Sequence, residues 1–311
     1  MSESTSGQTM TGRTVLVTGA SDGIGAETAK ALAGRGATVH VTGRSAEKLR
    51  PVADAVGTEP LVADFSRLDD VRRLAEQVGE RVEHLDVLLN NAGGTFSPRH
   101  VTHDGHEPNF QVNHLAPFLL TNLLRPRLAA AGSSLVVNTS SIGNLMGKVV
   151  LDDLDHERRR ALEFPAYGTG KLMNIVFTRG ISQRWSGDGI VSVAVHPGPV
   201  GSSFGRDSWL VGLLYRSPLK RLATISVPDG AAPLSHAGRA RAGPGPGRSL
   251  LQPLQPEGPR EQAGPRPDDH RRPVGTVGGA GRTDHMTGSR SHDVGSCHTR
   301  LWLRGVKGYA D

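Results

Sequence analysis

Tyr167 and Lys171 stand four positions apart in the run Tyr167-Gly-Thr-Gly-Lys-Leu-Met-Asn-Ile-Val-Phe177, which opens a stretch to Trp185 that reads as a long helix. That spacing puts two side chains on one helical face, so a phenol and an ammonium project together. A free phenol titrates near pH 10 and is a poor base at neutrality. A neighbouring cation favours the phenolate and brings its pKa toward the range useful for general acid–base work. Standing alone, the pair is most simply an ordinary aromatic beside a solvated lysine. Other residues change that balance. Ser140 and Ser141 follow the apolar run Leu135-Val-Val-Asn138, where a hydroxyl could hold a substrate oxygen or merely end a strand. Successive side chains of an extended backbone point to opposite faces, so only one of the two serines can serve such a site. Asn113 lies inside the apolar run Phe110–Ala131 and must be hydrogen-bonded there, as a site residue or as a satisfied core amide.

A second constellation opens the chain. Thr14-Val-Leu-Val17 reads as a short buried strand and Ala26–Leu32 as a helix. Between them lie Gly19, Gly23 and Gly25, with Ser21, Asp22 and Ile24 interspersed. Glycine lets the backbone turn sharply and lets a diphosphate approach it, while a helix N-terminus offers N–H groups and partial positive charge. Strand, glycine turn and helix together read as a nucleotide-phosphate site. The spacing is Gly-x-x-x-Gly-x-Gly, not Gly-x-Gly-x-x-Gly, and a glycine triplet by itself can be only a tight turn.

Regular alternation positions these residues. Strands are expected at Val39–Thr42, Pro60–Asp64, Leu85–Asn90, Leu135–Asn138 and Ile190–Val195. Helices are expected at Ser45–Val56, Leu68–Arg81, Phe110–Ala131 and Tyr167–Trp185, with Pro51 near the start of the first or interrupting it. In Leu68–Arg81 the apolar positions Leu68, Val71, Leu74, Ala75 and Val78 carry the helical period. Such alternation predicts an α/β fold: one domain, a three-layer doubly wound parallel sheet with right-handed crossovers. Ligands of such sheets sit beyond the carboxyl ends of the strands, where Gly19, Asp64, Asn90, Ser141 and His196 fall.

Composition narrows the function classes. The 311 residues allow one large domain or two small ones. No 18-residue apolar run is present, so no transmembrane segment is expected. Met1–Gly12 is polar, reads as disordered and lacks the pattern of a secretory signal. Cys297 is the only cysteine, which excludes an intramolecular disulfide and suits a cytoplasmic setting. The net charge of +6 is concentrated in Ala237–Asp311, with 12 Lys and Arg against 7 Asp and Glu. The body, Met1–His236, is near neutral at 24 against 23, so no nucleic-acid partner is expected. The same tail holds 14 glycines and 8 prolines and neither Ile nor Phe, a composition that reads as irregular, disordered or the product of a reading-frame change. The nucleotide-binding domain is therefore set at residues 13–236, without a normal last strand.

Thr18-Gly-Ala-Ser-Asp-Gly-Ile-Gly25, Asn90-Asn-Ala-Gly93, Ser140-Ser141, Tyr167-x-x-x-Lys171 and Pro197-Gly198 occur in the order found in short-chain dehydrogenases/reductases, and the chain resembles that family from about Thr11 to Pro233. Phe110-Gln-Val-Asn-His-Leu-Ala-Pro-Phe-Leu-Leu-Thr121, Asp152-Asp-Leu-Asp155 and Val195-His-Pro-Gly198 make it most similar to the retinol dehydrogenase-type members and related bacterial oxidoreductases. The resemblance implies a Rossmann-like domain. It implies Tyr167 as proton donor and acceptor, Lys171 as the tuning cation that also binds the nicotinamide ribose, and Ser141 rather than Ser140 as the residue orienting the substrate oxygen. Asn113 would join a water-linked proton relay with the lysine. The cofactor would lie on Gly19, Ser21, Asp22, Gly23, Ile24, Gly25, Arg44, Asp64, Asn91, Ala92 and Gly93, with Asn90 supporting the sheet there. Pro197, Gly198, Val200 and Ser202 would hold the nicotinamide side, and no metal is implied.

Cofactor choice turns on the end of the second strand. An acidic residue there binds a ribose 2′-hydroxyl and repels a 2′-phosphate. Gly43 followed by Arg44 suits the phosphate and favours NADP(H), although Asp22 is acidic where many NADP-preferring relatives are basic. The 26-residue gap from Ser141 to Tyr167 contains an insert, Asn144–Pro165, readable as a surface excursion near the substrate mouth or as a solvated helix. Phe204, Trp209, Leu210, Leu213, Leu214 and Tyr215 would wall a pocket for a lipophilic alcohol or carbonyl compound, or serve as core or oligomer contacts; a homo-oligomer is left open. The competing reading is a non-catalytic or defective cofactor-binding homologue with an altered C-terminus, its lost strand exposing a sheet edge.

Overall fold

A computed structural model describes residues 9–97, 100–158 and 162–197. Six strands form one parallel sheet: β1 (Thr14–Thr18), β2 (Thr38–Gly43), β3 (Leu61–Val62), β4 (Val87–Asn90), β5 (Ser134–Thr139) and β6 (Ile190–Val195), in the order β3-β2-β1-β4-β5-β6. The doubly wound expectation is met. The strand order reverses between β1 and β4, which opens a crevice at their carboxyl ends.

The register explains the two cores. Leu16, Leu88 and Val136 lie side by side and face one helical layer, α3 (Leu68–Arg81), α5 (Ala116–Leu123) and α7 (Glu163–Arg184). Their sequence neighbours Val15, Val87 and Leu135, with Val17, Leu89 and Val137, face the opposite layer of α1 (Gly23–Ala33) and α2 (Ala46–Val56). Apolar residues are needed at consecutive positions because both faces are covered. α3 buries the five residues its periodicity singled out, Leu68, Val71, Leu74, Ala75 and Val78. α2 starts at a Ser45 cap, runs through Pro51 and stops at Gly57 in the left-handed conformation.

Several boundaries differ from expectation. Met10 is buried and its N–H donates to the Arg35 carbonyl, so ordered structure already covers residues 9–12. The single helix expected over Phe110–Ala131 is four segments: α4 (Pro108–Phe110), a π turn (Gln111–Leu115), α5 and α6 (Arg125–Ala130). Two prolines cause this. In an α-helix the Asn113 carbonyl would accept from residue 117, and Pro117 has no N–H; the helix widens instead, and Ala116 N donates to Gln111 O. Pro126 likewise breaks the next stretch near Leu124. α7 begins four residues before Tyr167, which places the tyrosine inside the helix. The expectations for the last strand, Gly198, Val200, Ser202, the Phe204–Tyr215 wall and the 237–311 tail lie outside the described residues.

Candidate active site

The glycine turn follows β1 and sits at the β1/β4 crevice. Gly19 has φ +65°, and a Cβ there would stand 2.7 Å from Ala92 Cα; at Gly25 one would stand 2.3 Å from Gly19 O. The first glycine therefore lets the turn pass against the segment after β4, and the third lets α1 dock on the turn. Asp22 caps α1, its Oδ1 accepting from Gly23 N at 2.7 Å. Asn91 fastens the two segments, donating from Nδ2 to Thr18 O at 2.9 Å and Gly19 O at 3.2 Å. Thr18 completes the joint: its Oγ1 accepts from Asn91 N and Ala92 N, each at 3.0 Å, and donates to Leu89 O.

On the other side of β1, Gly43 ends β2 beside Ser21, whose Oγ is buried without a protein partner. A Cβ at Gly43 would lie 2.0 Å from that oxygen. An orphaned hydroxyl over a position lacking a side chain, next to an α1 N-terminus, fits a nucleotide's sugar and phosphate. Arg44 is exposed just beyond. Asp64 Oδ1 accepts from both Ser66 N (2.9 Å) and Ser66 Oγ (2.8 Å), a helix-entry role at the edge of this region. Pro197 is buried after β6, and His196 beside it is shifted down by burial.

The catalytic candidates gather beyond β5. Ser140 Oγ donates to the Lys171 carbonyl at 3.1 Å, which commits that serine to holding α7. Ser141 Oγ takes the other direction, accepting from Gly143 N at 3.2 Å and opening a short 3-10 turn, Ile142–Met146. Gly143 lies between the partners: a Cβ there would be 3.0 Å from Tyr167 Cε1 and 3.6 Å from Ser141 Oγ. Tyr167 is 6% exposed, and Lys171 Nζ sits 5.6 Å from its ring centroid. Lys171 is buried, which lowers its pKa to about 8, and Nζ donates to Thr139 O at 3.2 Å. At Gly93, a Cβ would meet Asn113 Oδ1 at 2.5 Å and Lys171 Nζ at 3.2 Å. Ser141, Tyr167, Lys171 and Asn113 thus meet around two glycines.

Asn113 holds the loop after β4. Its Oδ1 accepts from Gly94 N at 3.0 Å, and its Nδ2 donates to Gly94 O (2.9 Å) and Asn109 O (3.1 Å). Its main-chain carbonyl, freed by Pro117, accepts from Asn174 Nδ2 at 3.0 Å. Between the 3-10 turn and α7 the described residues of the insert, 147–158, form no helix. They fold back instead, with Asp155 bonded to His106 at 3.0 Å and the imidazole raised by that carboxylate. Ile142, Leu145 and Met146 remain exposed beside Ser141. Sequence reasoning passed over Thr18, Asn174 and His114; polar residues inside apolar runs were the available signal, used only for Asn113.

Known proteins similar to this chain bear on its family and its fold. A family model described as short chain dehydrogenase matches residues 13–209. Retinol dehydrogenase 12 of Mus musculus is 42% identical over 214 residues, covering 66% of this chain and 67% of its own. DnrU of Streptomyces sp. (strain C5), named as a daunorubicin C-13 ketoreductase, is 44% identical over 201 residues, 63% and 68% of the two chains. Among solved structures, an uncharacterized protein from Mycobacterium paratuberculosis superposes with a TM-score of 0.61 at 34% identity, covering 74% of this chain and 77% of its own. The RhlG/NADP active-site complex of Pseudomonas aeruginosa superposes with a TM-score of 0.58 at 25% identity, covering 74% and 91%.

Proposed function

The chain belongs to the short-chain dehydrogenase family, NAD(P)-dependent oxidoreductases of alcohol and carbonyl groups, and from that premise we propose that it reduces and oxidises a lipophilic carbonyl/alcohol pair with NADP(H), using Tyr167 as the proton-transferring group. One observation carries the reading: Ser141, Tyr167, Lys171 and Asn113 converge beyond the carboxyl ends of the strands, on the same side of the sheet as the glycine turn. The nicotinamide, when bound, supplies or accepts the hydride. Tyr167 Oη gives a proton to the substrate oxygen in reduction and takes it back in oxidation. Lys171, protonated at neutral pH with its pKa near 8, favours the phenolate that remains after proton donation. Ser141 Oγ accepts from Gly143 N, which leaves its own O–H to donate to the substrate oxygen.

Gly19, Ser21, Asp22, Gly23, Ile24 and Gly25 would cradle the diphosphate side. Asp64, Asn91, Ala92 and Gly93 would line the adenosine side, with Pro197 toward the nicotinamide. The absence of an acid at Gly43 and the exposed cation of Arg44 support NADP(H) over NAD(H). The apolar side chains Ile142, Leu145 and Met146 beside Ser141 support a lipophilic substrate. No described helix is long and apolar enough to cross a membrane, and the single cysteine supports a cytoplasmic setting.

The test uses the full chain with NADPH and a panel of aliphatic, retinoid and aromatic aldehydes and ketones. Tyr167→Phe is expected to lose roughly 100- to 10,000-fold in kcat while keeping NADPH affinity. Turnover by Tyr167→Phe at the wild-type rate refutes the assignment.

A further inference from the structure

Asn174 lies one helical turn beyond Lys171 on α7 and is only 3% exposed. Its Nδ2 donates to two main-chain carbonyls, Asn113 O at 3.0 Å and Thr139 O at 3.1 Å. Thr139 O is also the acceptor of Lys171 Nζ. Two carbonyl acceptors at one end of the amide fix which atom is nitrogen. The other end, Oδ1, lies 3.1 Å from His114 Nδ1, so Nδ1 carries the imidazole proton and donates it. His114 is itself buried among Phe110, Phe118 and Phe177, and burial lowers its pKa to about 4, which keeps the ring neutral. The arrangement follows from the chain. Pro117 frees the Asn113 carbonyl, and the π turn places His114 next to it to hold the asparagine that takes that carbonyl up.

We propose that Asn174, oriented by His114, is a positioning residue for Lys171: it pins the Thr139 carbonyl that receives the ammonium and ties that carbonyl to the main chain of Asn113. The inference rests on the reading of Lys171 as the partner of Tyr167. Removing Asn174 unpins one acceptor and leaves another unsatisfied at the point where Lys171, Asn113 and Gly93 meet. The titratable groups in contact are Lys171 and Tyr167 on the same helix and His114 on the π turn. The end of β5 and the Gly93–Gly94 segment contribute uncharged groups.

The experiment follows the 13Cε resonance of Lys171, assigned by Lys171→Arg, through a pH titration of the full chain, alongside NADPH-dependent turnover. Asn174→Ala is expected to lower the lysine's titration midpoint by about half a unit or more as its hydrogen bond loosens. It should reduce kcat roughly ten- to hundredfold, with KM for NADPH within about twofold. His114→Phe, which keeps a ring of similar size among the phenylalanines, should move the titration in the same direction. The double variant should be little worse than Asn174→Ala. Ser182→Ala removes two other buried hydrogen bonds of α7, one donated to Ser192 O and one accepted from Ser192 N, and should lower the melting temperature without moving the lysine. A Lys171 titration superimposable on wild type in either folded variant overturns the proposal, as does an equal displacement in Ser182→Ala. A shifted lysine in a chain that turns over no carbonyl supports the positioning role and counts only against the proposed reaction.

Discussion

Gly93→Ala tests how tightly the catalytic candidates are held together. The added methyl would lie 2.5 Å from Asn113 Oδ1 and 3.2 Å from Lys171 Nζ, distances at which something must move. Gly93 does not occupy the left-handed region, so the penalty is steric and not conformational. The Asn113 amide has little room to retreat, because its three hydrogen bonds, to Gly94 N, Gly94 O and Asn109 O, run from 2.9 to 3.1 Å. A buried polar group losing a partner costs about 1–3 kcal/mol, so stretching one or two of these contacts costs roughly 2–4 kcal/mol. At about 2–4 °C per kcal/mol for a domain of this size, the melting temperature should fall by roughly 5–15 °C. The lysine is pushed by the same methyl, so kcat should fall as well. Gly94→Ala is the internal comparison: its methyl would meet only the rim of the Phe96 ring, at 3.2 Å, and a ring tip can turn aside. Calorimetry of the two variants with and without NADPH measures the difference. If Gly93→Ala melts within about 2 °C of wild type, or no lower than Gly94→Ala, the packing argument fails.

Three further outcomes follow from the same geometry. His114 titrates near pH 4 in the folded chain and near 6.5 when unfolded, so the unfolded state binds more protons between those values and stability should fall as pH drops through that window, by about 3 kcal/mol in all; His114→Phe should flatten this slope in denaturant melts. Gly25→Ala drives a Cβ to 2.3 Å from the Gly19 carbonyl, a backbone atom with no rotamer to yield, and should cost about 3 kcal/mol or more in thermal melts and abolish detectable NADPH stabilisation. Arg44→Ala should weaken NADPH binding by roughly tenfold or more and leave NADH unchanged in titration calorimetry, and equal losses for both would remove Arg44 from cofactor selection.

The sheet was legible because its strands are buried on both faces and leave apolar runs, as in Val15-Leu-Val17 and Leu135-Val-Val137. α3 was legible because one face is wet and the period shows. The interior of Phe110–Ala131 was not, because an apolar run carries no register information and the two prolines act only through carbonyls four residues earlier. Alternation separated Ser140 from Ser141 in principle but could not say which faced the site. What the fold shows is Ser140 engaged by the Lys171 carbonyl, a contact from just past β5 to α7 that no local pattern announces. Asn174 was hidden for the same reason: its three partners come from the π turn and β5, far away in the chain.

Two of the residues between Tyr167 and Lys171 are glycines, which cost a helix about 1 kcal/mol each relative to alanine. Their contacts account for that cost. A Cβ on Gly168 would lie 2.3 Å from Gly143 O, and one on Gly170 would lie 2.9 Å from Asn109 O. The first glycine seats the turn that carries Ser141 against α7, and the second seats the helix that carries Asn113 against its other side. The phenol and the ammonium therefore ride on a segment clamped from both flanks by the backbones bearing the remaining two polar groups. None of the four can move far without the others. A site built this way gains its precision from missing side chains, so the substitutions that damage it most should be additions of a methyl, not removals of one.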